Sequence, residues 1–136
     1  MKKFLVTVLL AVLCVTGCGN SNKNLACEMS SDSSMYSLKQ SVVYEISNSS
    51  FDKALMELSY VYKDNYVSLL TDSVLAELED SLKNKFNRYG EVEFSRINNG
   101  IKVVVTLDRK GISTMTGAKD IEDLKTAMKN AGYICK

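Results

Sequence analysis

Sulfur and carboxylate are the reactive groups that this sequence offers. Its 136 residues hold four cysteines, 16 aspartates and glutamates, and no histidine. Without an imidazole, neither a Ser-His-Asp nor a Cys-His nucleophilic arrangement can be assembled. Glu57, Glu91 and Glu93 are candidates for the carboxylate pair of a glycoside hydrolase, although exposed strand positions account for them more simply. Asp120, Glu122 and Asp123 crowd together, but no twelve-residue calcium loop surrounds them, and acids suit the first turn of a helix. The run from Gly111 to Lys119, GISTMTGAK, has only a loose likeness to a phosphate-binding loop. Its lysine does not directly follow the glycine, and Asp120 stands where that motif needs Ser or Thr. The segment 108–119 is therefore expected to be a flexible surface loop, and as a loop it is the first place to look for binding residues. No catalytic residue, cofactor or metal ligand is assigned.

The cysteines carry more information. Lys2 and Lys3 precede Phe4–Val15, twelve uncharged and mostly apolar residues. A bilayer-spanning helix needs about 20, so this short run after a positive start is expected to be an export signal. It ends in Val15-Thr16-Gly17-Cys18, which resembles the lipobox of bacterial lipoproteins. The resemblance implies that the Cys18 sulfur takes a diacylglyceryl group and that the chain is cut just before it. Residues 1–17 are then a lipoprotein signal peptide, and two acyl chains on Cys18 give the stable anchoring that one chain does not. Cys14 is removed with the signal. Residues 18–24 carry no large apolar side chain before Leu25, as a flexible tether should. The expected location is the cell membrane, lipid-anchored and facing outside the cytoplasm.

Residues 25–136 are long enough for one domain with one core. Once Lys2 and Lys3 are removed, the acids outnumber the bases by one. No basic excess remains to neutralise phosphates, which excludes nucleic acid as a partner. The remaining thiols, Cys27 and Cys135, lie near the two ends of the domain. Outside the cytoplasm such a pair is expected to be a disulfide. Two cysteines alone do not fill the four positions of a tetrahedral zinc site.

Periodicity supplies the elements that carry these groups. Leu25–Ser30 reads as a short strand around Cys27, followed by turn residues at 31–34. In Tyr36–Ser47, Val42, Tyr44 and Ile46 share one face and Val43 lies on the other. In Asp52–Lys63, Ala54, Met56, Leu58, Tyr60 and Tyr62 alternate with Lys53, Glu57 and Ser59. Both are half-buried strands and are expected to form an antiparallel hairpin. The period then changes. Val74, Leu75, Leu78, Leu82, Phe86 and Tyr89 recur at three and four, which predicts an amphipathic helix with Asp72 or Ser73 as N-cap and Gly90 as stop. Leu78 and Leu82 should face the sheet, and so should Val103 or Val104. Glu91–Ile97 and Ile101–Leu107 flank Asn98-Asn99-Gly100, a hairpin signal in which both Asn and Gly tolerate positive φ. Ile101–Val105 should be a central strand. Ile121, Leu124, Ala127, Met128 and Ala131 predict a second helix, capped by Asp120 and stopped by Gly132, after which Tyr133–Cys135 returns toward the sheet. The result is α+β: an antiparallel sheet of about five strands with two helices packed on one face.

With its lipobox, β-rich first half, mid-chain helix, Val-rich hairpin and closing Ala131-Gly132-Tyr133-Ile134-Cys135-Lys136, the chain resembles small bacterial lipoproteins of the YehR-like kind. That family has no established activity and lends no catalytic residues. The lipobox implies a membrane-anchored extracytoplasmic domain contacting membrane lipid through acylated Cys18, and an envelope protein or polysaccharide is the expected partner. The first functional reading is thus a binding or envelope-accessory module. It predicts an exposed apolar or aromatic patch. The second is a small carboxylate-based hydrolase acting on envelope material, which predicts two facing acids in a cleft. Tyr44, Tyr60 and Tyr62 are potential sugar or peptide contacts, but tyrosine is also ordinary in strands.

Overall fold

A computed structural model describes residues 23–48 and 50–136. Cys18, the signal and most of the tether lie outside them. Six strands form a single sheet: β1 (Lys23–Asp32), β2 (Tyr36–Ser47), β3 (Ser50–Tyr62), β4 (Gly90–Ile97), β5 (Gly100–Asp108) and β6 (Ile134–Cys135). Their order across the sheet is β4-β5-β3-β2-β1-β6, and every neighbouring pair is antiparallel. Four helices connect them: α1 (Asp64–Val67), α2 (Asp72–Phe86), α3 (Arg109–Thr116) and α4 (Ile121–Asn130). The α+β class and the antiparallel sheet agree with the periodicity. The sheet has one strand more than expected, and there are two further short helices.

Strand alternation decides what is buried. Leu25 and Cys27, Val42 and Tyr44, Ala54, Met56 and Leu58, and Ile101, Val103, Val105 and Leu107 are all buried on one face. The helices contribute Leu82 and Phe86 from α2, Ile112 from α3, and Leu124 and Met128 from α4 to the same core. The residues between those strand positions form a second, helix-free face. Val104 belongs to it, so Val103 is the core residue of the pair. β5 is interior, as its apolar run requires, with β4 on one side and β3 on the other.

Several local expectations shift. The N-cap of α2 is Thr71, whose hydroxyl accepts from the Val74 N–H at 3.2 Å. Asp72 lies one residue inside and instead meets Arg96 of β4 at 2.8 Å. Gly90 does not stop α2. The helix ends at Phe86, with Asn87 as a right-handed C-cap, and Gly90 opens β4. The β4–β5 turn is Asn98-Asn99: Asn99 has φ 61, whereas Gly100 is the first residue of β5 and has no positive φ. Gly100 is needed for space. A Cβ there would sit 1.7 Å from the Tyr60 carbonyl oxygen, a contact with main chain that no rotamer relieves. α4 follows its sequence signals closely. Asp120 accepts from the Asp123 N–H at 2.8 Å, and Gly132 adopts φ 97 just past the end.

The largest correction concerns segment 108–119. Residues 109–116 are not a loop but helix α3, capped by Asp108 through the Gly111 N–H at 2.7 Å and closed by Gly117 at φ 73. Gly111 and three hydroxyl residues lower helix propensity, glycine through backbone entropy and the hydroxyls by competing for backbone groups. Here they bond back along the helix: Thr114 to the Lys110 carbonyl and Thr116 to the Ile112 carbonyl, both at 2.7 Å. Tertiary contact outweighs the local preference. Ile112 is fully buried, and Gly111 lets the Tyr89 carbonyl oxygen approach to 1.9 Å of where a Cβ would be.

Burial also reorders α2. Leu75, Leu82 and Phe86 are buried, Leu78 is half-buried, and Val74 is exposed. Leu82→Ala should therefore cost about 2–5 kcal/mol. Leu78→Ala should cost less, and Lys83→Ala well under ~1 kcal/mol. Urea unfolding of the three variants checks this order. A larger loss for Leu78 than for Leu82 would contradict the packing of α2.

Candidate functional site

The two bridge cysteines meet. Cys27 of β1 and Cys135 of β6 stand directly opposite in the sheet and are joined by a disulfide, with Cα atoms 4.0 Å apart. The adjacent pair, Ala26 and Lys136, exchanges both backbone hydrogen bonds, at 3.2 and 2.8 Å. The cysteines thus occupy the narrow, non-hydrogen-bonded position of an antiparallel ladder, where Cα atoms come closest. Cys27 is fully buried, so the bridge fastens a two-residue strand to the core.

The carboxylates do not meet in a cleft. Glu57 lies at the centre of the helix-free face, within a shallow depression of about 220 Å³ that Glu28, Lys39, Ser41, Ser59 and Lys102 also line. Its nearest charged partner is Lys102, one strand away, with Nζ 2.7 Å from Oε1. Both side chains are largely covered, at 13% and 23% exposure. The approach has ion-pair distance but not hydrogen-bond alignment, and Oε1 is otherwise without a partner among the described residues. Glu93 shares the cross-strand row of Glu57, but two strands away, with Val104 between them. That spacing is about 9–10 Å across an open surface. Glu91 is exposed on edge strand β4, two residues further along the same face. Asp120, Glu122 and Asp123 cap and charge the start of α4, and among the described residues no three potential metal ligands converge.

The tyrosines divide. Tyr44 is buried in the core with its hydroxyl 3.2 Å from Met128 Sδ, and burial holds its phenol well above the ordinary range. Tyr60 and Tyr62 are half-buried and gather around Tyr36, with ring centroids 5.7 and 5.5 Å from it. Burial raises both phenols, and proximity to Tyr36 adds to this, so the rings stay neutral through the physiological range. Met35, 42% exposed, lies beside them, its carbonyl accepting from the Lys63 N–H. Asp32 is held below the usual carboxylate range by the Ser37 hydroxyl first and the Lys63 ammonium second. This aromatic cluster closes the end of the sheet farthest from Lys23, because Tyr36 and Tyr62 pair just beyond the Asp32–Ser37 register.

Sequence reasoning put Tyr60 and Tyr62 on one face and Glu57 on the other but did not include Tyr36, Lys39 or Lys102. Their partners are set by register in the β2–β3 hairpin and in the long-range β3–β5 pairing, and only the alternation within each strand is a visible signal. Among the described residues no helix is long and apolar enough to cross a membrane. Compared with protein-family models, with curated proteins and with solved structures, the chain finds no match.

Proposed function

We propose that this chain is a membrane-anchored extracytoplasmic lipoprotein domain, held by acyl chains on Cys18. It acts as a non-enzymatic binding or envelope-accessory module of the YehR-like kind. One observation carries this reading. β1 starts at Lys23, only five residues after Cys18, so the anchor end of the sheet lies within about 17 Å of the acylated sulfur. β1 then runs ten residues, roughly 30 Å, to the end where Tyr36, Tyr60, Tyr62 and Met35 cluster. An aromatic patch at the far end from its anchor suits contact with an envelope protein or polysaccharide. The hydrolase reading has less support. The acid at the centre of the depression is paired with a lysine, and Glu28, the other carboxylate that lines it, stands two strands away with Ser41 between them.

The test is direct. Wild-type protein expressed in bacteria should partition into the detergent phase, with its N-terminal peptide carrying acyl mass on Cys18. Cys18→Ser should abolish both. A wild type that stays in the aqueous phase, cut after some other residue, would overturn the anchor. The patch is tested separately. Tyr60→Ala with Tyr62→Ala should weaken cosedimentation with isolated envelope polysaccharide, or cross-linking to an envelope protein, at least tenfold while leaving partitioning unchanged.

A further inference from the structure

The fold leaves the second face of the sheet without helices, and its charges follow a pattern. Two neighbouring cross-strand rows traverse it. The first is Glu28, Ser41, Glu57, Val104, Glu93, and the second is Ser30, Lys39, Ser59, Lys102, Ser95. One charged residue per strand steps between them: Glu28, Lys39, Glu57, Lys102, Glu93. The acids all lie in the first row and the lysines all in the second. Among the described residues, only Glu57 and Lys102 of these five close an ion pair. Glu28, Lys39 and Glu93 are exposed.

This arrangement is complementary to itself. Consider a two-fold axis that crosses the strands between the rows, through the register positions Met29, Gln40, Leu58, Val103 and Phe94. It places the first row of one copy over the second row of another. Glu28, Glu57 and Glu93 then alternate along one line with the second copy's two lysines, and the same holds along the other line. Leu55 comes to lie over the second copy's Val61, which is 40% exposed in the single chain. An axis along β3 would instead stack Glu57 on Glu57 and Glu28 on Glu93, an arrangement that like charges oppose. Aligned packing of two twisted sheets accommodates the first operation. The strands reach three or four residues beyond the axis at their nearer ends, so the copies overlap over roughly 24 Å, and five strands about 4.8 Å apart then cover on the order of 550 Å² each, toward the lower end of specific interfaces.

We propose that the helix-free face is an isologous interface, on which a second copy of this chain docks through the Glu28-Lys39-Glu57-Lys102-Glu93 zigzag. The inference does not rest on the anchor or the tyrosine patch, so its failure leaves both untouched.

Sedimentation equilibrium of the full chain in density-matched detergent tests it. Wild type should show twice the mass that the same preparation gives for its single chain under denaturing conditions. Lys39→Glu sets a glutamate against Glu28 and Glu57 of the second copy, and Glu28→Lys sets a lysine against its Lys39. Each should weaken association at least tenfold, with far-UV circular dichroism unchanged because both positions are exposed. An equimolar mixture of the two variants should regain the double mass, since one line keeps its native charges and along the other the two substituted side chains meet as opposite charges, leaving only the contact with Glu57 unfavourable. A single-chain mass for wild type at about 100 µM would overturn the proposal. So would a Lys39→Glu variant that associates as wild type does, or a mixture that stays monomeric.

Discussion

Replacing both bridge cysteines, Cys27→Ala with Cys135→Ala, is expected to lower unfolding stability by about 2–5 kcal/mol. The crosslink spans 108 residues, and closing so long a loop limits the unfolded chain by up to ~4.7 kcal/mol in the chain-entropy treatment. The native side adds to this. β6 is two residues long and pairs only with β1. Without the bridge, two ladder positions and the Ala26–Lys136 bonds are left to hold the C-terminus, whose ordering costs about 1–2 kcal/mol per residue in backbone entropy. Because a domain of this size has only about 5–15 kcal/mol in total, the change is a large share. Urea unfolding of the chain lacking residues 1–17 should show the oxidised form as the most stable. The reduced form and the double variant should fall to similar, lower midpoints. Coincident curves for oxidised and reduced protein, or two free thiols in peptide maps of exported material, would contradict the crosslink.

Ile112→Ala should destabilise by a comparable amount, about 2–5 kcal/mol, whereas Thr114→Ala two residues later should cost less than ~1 kcal/mol. Ile112 is fully buried in the common core that also holds Leu107 and Leu124, and Thr114 is exposed. Truncating Ile112 removes a branched side chain from a site that the surrounding strands cannot collapse to fill, so the transfer and cavity terms add. A surface loop would show no such contrast. Equal midpoints for the two variants in urea would mean that residues 109–116 do not pack as α3. Hydrogen exchange gives an independent reading, since the backbone of α3 should be protected well beyond a loop's.

Local pattern, read without any neighbour in space, determined much of this protein. Period two assigned Val42 and Tyr44, and Ala54, Met56, Leu58 and Tyr60, to one face and Glu57 to the other. Period 3.6 placed α2, and Asp120 with Gly132 bounded α4. These hold because side-chain direction follows from backbone geometry alone. The tertiary structure decided the rest. Leu78 is only half-buried while Leu75, Leu82 and Phe86 are buried, a ranking set by how α2 rests on its neighbours, which no helical wheel contains. α3 forms against its own composition because burying Ile112, and fitting Gly111 against Tyr89, outweighs local preference. Gly100 and Gly90 look like turn and stop signals, yet both sit in strands, and at Gly100 the Tyr60 backbone presses too close for a Cβ. Register did the most. The Glu57–Lys102 pair, the Tyr36–Tyr60–Tyr62 cluster and the meeting of Cys27 with Cys135 all depend on how strands distant in sequence align. That alignment is a sum of many contacts between segments, and no single segment encodes it.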